Sequence, residues 1–351
     1  MLRNGDVVLQ RYQIESALGQ GGMGAVFRAR HVHLDTEVAV KVLQRSTGPE
    51  TAALMARFLR EAKLVAKLNH PNIVRVLDFG LIPELDDAPC IVMELIDGPS
   101  FEDVLIDHGP QPFEVLLDVC IAAASGLTAA HEQGILHRDV KPANLVRAAD
   151  GIRLVDFGIA LPLADDVRLT RAGALVGTPI YMAPEHLLGA PATYATDLYA
   201  LGVTLYELAC GLPPYDDKDL GSLVQMAMKG PPAMEPPDDL PPIPGLFEQL
   251  VLRMLAPDPN RRPESAAHVA AAAMSIRKEA RKRAARASSS ALDDFARLSS
   301  DSSQSLPEVR PPAPPAESGV PPRTDSDVPS SIRERGTWSR PFPPVKKPSK
   351  S

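Results

Sequence analysis

The chain has 351 residues, 44% of them apolar, and a net charge of −7, a length that allows two globular domains or one two-lobed domain with a tail. From Ile276 onward 15 basic residues face 9 acidic ones, a net of +6, which leaves the first 275 residues at −13. Phosphate backbones reward basic surfaces, so so acidic a body argues against nucleic acid as its main ligand.

The same C-terminal stretch carries 12 of the 36 prolines, many serines and few large apolar residues. It buries too little apolar surface to offset its ordering entropy, so residues 291–351 are expected to form a disordered tail. Residues 273–290, with the run RKEARKRAAR, read as a basic helical extension or linker. Cys90, Cys120 and Cys210 lie at wide spacings with no C-x-x-C pair, which suits reduced, buried thiols in a cytoplasmic protein. The N-terminal residues lack a basic-then-apolar leader pattern. The longest apolar run, near Leu198 to Leu212, is interrupted by Glu207, so no membrane span is expected.

In chain order, YQIESAL, AVFRARHV and EVAVKVL are short apolar runs separated by a Gly-rich turn and by HLDT. They predict three antiparallel strands. RFLREAKLVAKL puts Phe58, Leu59, Ala62, Val65 and Ala66 at helical spacing, a helix ending near Asn69-His70-Pro71. IVRVLDFGL and PCIVMELI predict two further strands. After Asp97-Gly98 the pattern turns helical, in PFEVLLDVCIAAASGLTAAHEQ, DLYALGVTLYELACG, EQLVLRMLA and the Ala-rich AAHVAAAAMSI. The fold class expected is α+β: a strand-rich N-lobe with one helix, about 12–97, joined to a helical C-lobe, about 98–272.

The chemistry-bearing motifs begin with Leu18-Gly19-x-Gly21-x-x-Gly24-x-Val26. Glycines let the backbone turn tightly and bring peptide N–H groups to phosphate oxygens without Cβ obstruction. A plain hairpin turn would look similar. The motif joins two strands rather than opening a helix, which counts against a dinucleotide fold. Lys41 then stands in an apolar strand, where an ammonium needs a partner, and Glu61 on the following helix is the best acidic candidate. Paired there, Lys41 can orient the phosphates of a nucleotide.

The most specific signal is His137-Arg138-Asp139-Val140-Lys141-Pro142-Ala143-Asn144, followed by Asp156-Phe157-Gly158. Asp139 can accept the proton of an attacking hydroxyl, and Lys141 adds positive charge where a transferring phosphoryl group gains negative charge. Asn144 and Asp156 offer the hard oxygens that Mg²⁺ prefers.

Together with GTPIYMAPE, the DLYALG helix start and DPNRRP, these segments resemble, in order, the signature set of the protein kinase superfamily over roughly residues 12–272. Their wording is similar to that of the eukaryotic-like Ser/Thr kinases of bacteria. The resemblance implies Mg²⁺ and ATP as cofactors, with Leu18, Gly19, Gly21, Gly24 and Val26 over the nucleotide and a Lys41–Glu61 ion pair in the nucleotide-bound, active state. It implies Asp139 as catalytic base, Lys141 as its Ser/Thr-type companion, and Asn144 and Asp156 as metal ligands. Met93 resembles the gatekeeper and Glu94 to Leu95 the adenine-binding hinge. Glu185 and Arg262 resemble a buried ion pair, and Asp197 a brace for the catalytic loop. Tyr stands in that helix where many relatives have Trp, a packing change.

Thr170 and Thr178 lie in the segment between Asp156 and Glu185. Arg138 could receive a phosphate from that segment, and Thr170 is the better phosphosite because Thr178 more resembles a structural threonine. The expected partners are proteins with Ser or Thr acceptors, with self-association for trans-autophosphorylation. A pseudokinase scaffold would lack a chemical position, and none is missing. A small-molecule phosphotransferase would not need GTPIYMAPE.

Overall fold

The computed structural model describes residues 2–21, 24–43, 51–158, 179–217 and 219–301, without the side chains of 51–54 and 287–301. The N-lobe is one antiparallel sheet in the order β1-β2-β3-β4-β6-β5. Its strands are β1 Val7–Val8, β2 Tyr12–Gly21, β3 Gly24–His31, β4 Glu37–Leu43, β5 Val76–Ile82 and β6 Ala88–Glu94. The five strands expected from the apolar runs are all present, and the two-residue β1 is one the sequence pattern passes over. Gly24 starts β3 with φ +149, and a Cβ there would run into the Val42 carbonyl oxygen, so only glycine fits.

β4 shows how side-chain alternation builds two cores. Val38, Val40 and Val42 join Val8, Tyr12, Ile14, Phe27, Cys90 and Val92 on one face. Ala39 and Leu43 join Phe58, Ala62 and Val65 of α1, Thr51–Val65, on the other. Lys41 shares the second parity, so it stands on the α1 side of the sheet. The helix is amphipathic as expected but ends at Val65, with only a turn reaching Leu68.

The C-lobe is built from α2 Phe101–His108, α3 Phe113–Glu132, the hairpin β7 Leu145–Ala148 and β8 Gly151–Leu154, α4 Pro184–Leu187, α5 Tyr194–Cys210, α6 Leu220–Lys229 and α7 Gly245–Met254. α2 starts in a capping box, with the Ser100 hydroxyl accepting from Asp103 N and the Asp103 carboxylate accepting from Ser100 N. α3 is apolar and long enough to cross a membrane, and it is the core helix of this lobe, with Leu116, Val119, Cys120, Ala123, Ala124 and Leu127 buried. Gly126 lets it pass close to the hairpin: a Cβ there would lie 2.9 Å from Leu154 Cδ1 and 3.0 Å from Asn72 O. Residues 72–74 stitch the hairpin to the N-lobe, since Leu154 N donates to Asn72 O and Val74 N to Leu154 O. That seam brings Asp156, two residues past β8, within reach of β4.

α8, Ala266–Asp301, corrects one expectation. The helix does not stop at the expected boundary near residue 290 but runs on through SSSALDDFARLSSD, because extending a helix already formed costs little per residue even for Ser and Asp. Arg277 Nη2 ties its start to Asp118 Oδ1 of α3 at 2.8 Å. Residues 302–351, most of the expected tail, lie outside the described residues, as do Thr170 and Thr178.

Candidate active site

The loop 137–144, between α3 and β7, is held from below by one carboxylate. Asp197, in the first turn of α5 and 1% exposed, accepts from His137 N at 2.9 Å, Arg138 N at 2.8 Å and His131 Nε2 at 2.8 Å. Those bonds hold Arg138 at φ +65, a left-handed conformation that a non-glycine residue adopts only when its surroundings impose it. Asp156 is the second such residue here, at φ +59.

His137 is fully buried and works as a structural link. Its Nε2 lies 3.0 Å from Val155 O and its Nδ1 accepts from Asp139 N at 3.3 Å, a pattern that needs the neutral ring protonated on Nε2. Burial lowers its pKa, against the pull of Asp197 and Asp139, so the neutral form is favoured. Its ring packs on Phe157 at 4.5 Å, and Gly158 N donates to His137 O, which fastens the Asp156-Phe157-Gly158 segment to the loop.

Asp139 sits between two donors. Asn144 Nδ2 donates to its Oδ2 at 2.8 Å and Lys141 Nζ lies 2.9 Å from the same oxygen. Both bonds given by Asn144 use its nitrogen, the other going to Asp139 O at 2.7 Å, so its amide oxygen is the group left to meet a cation. Among the described residues no three His, Cys, Asp or Glu side chains gather as a metal cage. Asn144 and Asp156 alone suit Mg²⁺, which takes most of its ligands from phosphates and water.

The expected Lys41–Glu61 pair is not formed in this structure. Lys41 Nζ lies 2.8 Å from Asp156 Oδ2. Glu61 Oε1 takes Arg138 Nη1 at 3.2 Å and, one helical turn back, Arg57 Nε at 3.1 Å. Three cations and two carboxylates converge here, and the two long-range pairs that form, Lys41–Asp156 and Arg138–Glu61, are not ones that spacing along the chain suggests.

On the sheet side, an added Cβ at Gly19 or Gly21 would meet nothing within 4 Å, leaving open space above the hairpin of β2 and β3. Leu18 is 49% exposed, while Val26 packs on the core. Met93 is buried at the end of β6, opposite Ala39 and Val76. Glu94 N donates to Arg75 O at 3.0 Å, and the Glu94 carboxylate accepts from Arg75 N at 2.9 Å. Leu95 follows, half-buried.

Two further networks frame the substrate side. Arg262, 2% exposed, makes a two-pronged contact with Glu185 at 2.6 and 2.7 Å and donates to Ala195 O, Ala256 O and Pro257 O. Its guanidinium lies 4.9 Å from the ring centre of Tyr199, the Tyr that replaces Trp. Tyr181 donates to Glu207 Oε2 at 2.5 Å, and burial raises the Glu207 pKa, with Glu102 adding to the effect against the Tyr181 bond. Neither His131 nor the Tyr181–Glu207 bond carries a sequence signal, because their partners lie far away along the chain.

The family model for the protein kinase domain matches residues 12–274. The chain belongs to the protein kinase family. Over 290 residues this kinase chain is 38% identical to the serine/threonine-protein kinase pkn3 of Myxococcus xanthus, covering 79% of the chain and 52% of that protein. It is 36% identical over 263 residues to PknB of Mycobacterium leprae, covering 74% of the chain and 42% of that protein. It thus spans about half the length, or less, of these relatives. Among solved structures, the PknI kinase domain of Mycobacterium tuberculosis superimposes with a TM-score of 0.60 at 30% identity, covering 78% of this chain and 98% of that one.

Proposed function

We propose that this chain is a Ser/Thr protein kinase that transfers the γ-phosphate of ATP, with Mg²⁺, to hydroxyls of protein substrates. The observation that carries the reading is the Asp139 carboxylate, fixed between Asn144 and Lys141 on a loop anchored to Asp197. So held, Asp139 orients an incoming hydroxyl and takes its proton. Lys141 balances negative charge on the moving phosphoryl group. The glycines of the β2–β3 hairpin cover phosphates, Lys41 orients them, and Met93, Glu94 and Leu95 border the base. Mg²⁺, when bound by Asn144 and Asp156, neutralises phosphate oxygens. Lys141, two residues after the base, supports Ser/Thr over Tyr as acceptor.

The kinase domain spans residues 12–272, and the chain phosphorylates itself at Thr170 in trans through self-association. The buried free thiols support a cytoplasmic setting: burial pushes Cys90 and Cys120 up to about 12, far from the reactive thiolate range.

The test is transfer from γ-labelled ATP to a generic basic protein, with Asp139→Asn as control. Asp139→Asn is expected to slow transfer by about 100-fold or more while nucleotide still binds. The acid hydrolysate should hold phosphoserine and phosphothreonine, and mass spectrometry should find phosphate at Thr170 in the wild type alone. Undiminished turnover in Asp139→Asn would overturn the assignment.

A further inference from the structure

α8 carries a dense run of positive charge out of an acidic body. Its first turns are packed: Ala266, Val269, Ala270 and Ala273 are buried, and Ile276 and Ala280 rest on the same core. From Arg281 to Arg286 every side chain is exposed. Six consecutive residues make more than one and a half turns of helix, so exposure of all six means that no face remains covered. The helix has left the body by that point.

Between Arg277 and Arg286 six Lys and Arg stand against one acid, Glu279, a net of +5, while the first 275 residues carry −13. Arg277 is paired with Asp118 and Lys282 with Glu279. Lys278, Arg281, Arg283 and Arg286 form no ion pair among the described residues. At 3.6 residues per turn the six cations cover an arc of about 240°, and the remainder holds only Ala280 and Ala284. The run has no bulky apolar side chain, so the helix has no face to sink into a bilayer. A flat anionic surface meets about half of such an arc, whereas a groove with two charged walls meets all of it.

The major groove of duplex DNA is about 12 Å wide, and a helix with its side chains is about 10–12 Å across. Along the roughly 12 Å of helix from Lys278 to Arg286, a duplex presents about seven phosphates to the four unpaired cations. We infer that this basic segment of α8 is a DNA-docking element, which lies in the major groove and holds phosphates of both strands. The segment has no Asn or Gln to read base edges, so the docking is independent of base sequence. The acidic body stays outside the groove, and its repulsion keeps the affinity in the range of non-specific binding. Held this way, the catalytic site is carried along the duplex and meets proteins bound there at a raised local concentration. The element goes beyond the proposed phosphoryl transfer and shares no residue with it.

The test is fluorescence anisotropy of a labelled DNA duplex of about 20 bp and arbitrary sequence, titrated with the full chain at about 50 to 200 mM salt. Dissociation constants of about 1–100 μM are expected, with log K falling linearly against log salt. Replacing the four unpaired cations together, by Lys278→Gln, Arg281→Gln, Arg283→Gln and Arg286→Gln, should flatten that slope by about 3.6 and weaken binding by about tenfold or more at the lowest salt. Gln preserves helix propensity, and an unchanged thermal midpoint shows that the body still folds. Should the fourfold variant fail to fold, each single replacement is expected to flatten the slope by about 0.9. A duplex RNA of the same length should bind more weakly, because its deep, narrow major groove does not admit the helix. No binding of DNA at the lowest salt would overturn the assignment, as would equal or tighter binding of duplex RNA or of phosphatidylglycerol vesicles. A slope that the variants leave unchanged would place the binding elsewhere on the chain and overturn it as well.

Discussion

Asp197→Ala removes the one acceptor shared by three buried donors: His137 N, Arg138 N and His131 Nε2, all within 2.9 Å. Each orphaned donor costs about 1–3 kcal/mol, and the carboxylate's favourable place in the first turn of α5 is lost as well. Allowing for partial rehydration of His131, whose side chain is 9% exposed, the sum is about 3–6 kcal/mol. In a domain this large that lowers Tm by roughly 6–12 °C. The functional loss should exceed the stability loss, because the bond from Arg138 N to Asp197 restrains the left-handed backbone at Arg138, and Asp139 follows it directly. Assayed well below the midpoint, where the variant is folded, peptide phosphorylation should fall by about 100-fold or more. Calorimetry and initial rates on the same preparation check both numbers. A midpoint within 2 °C of wild type together with rates within about twofold would refute the reasoning.

Two other outcomes follow from buried charge and buried imidazole. Arg262→Ala strands the Glu185 carboxylate and three carbonyls, so urea unfolding should show a loss of about 3–5 kcal/mol, and a loss under 1 kcal/mol would show that the network contributes little. His137 is buried neutral with its pKa lowered by burial, so the unfolded chain takes its proton first. Its contribution is complete above the unfolded value near 6.5 and is lost as pH falls below it, by at most about 1.4 kcal/mol per pH unit. Urea midpoints at pH 7.5, 6.5 and 5.5 should fall less steeply for His137→Gln than for wild type, and parallel curves would contradict this.

Much of this molecule is legible along the chain because its determinants are local. β4 alternates between two cores, and the spacing of Phe58, Ala62 and Val65 marks the inner face of α1, so strands and helix follow from period alone. The order of the glycine hairpin, Lys41, the loop 137–144 and Asp156 states the chemistry, since those residue types have few other joint uses. α8 shows the limit of composition, because a Ser- and Arg-rich stretch that looks like the start of a tail continues a helix already under way.

What no one-dimensional pattern decides is the choice among competing partners. Lys41, Arg57 and Arg138 are all cations, Glu61 and Asp156 are both carboxylates, and several pairings are chemically sensible. The pairing that forms depends on distances set when β8 is stitched to residues 72–74 and when Asp197 bends the backbone at Arg138. The neutral tautomer of His137 and the bond between Tyr181 and Glu207 have the same origin. Period and motif reflect interactions within a turn or a strand, whereas alternative ion pairs differ by about 1 kcal/mol and are ranked only by the packing that sets their separation and removes their water.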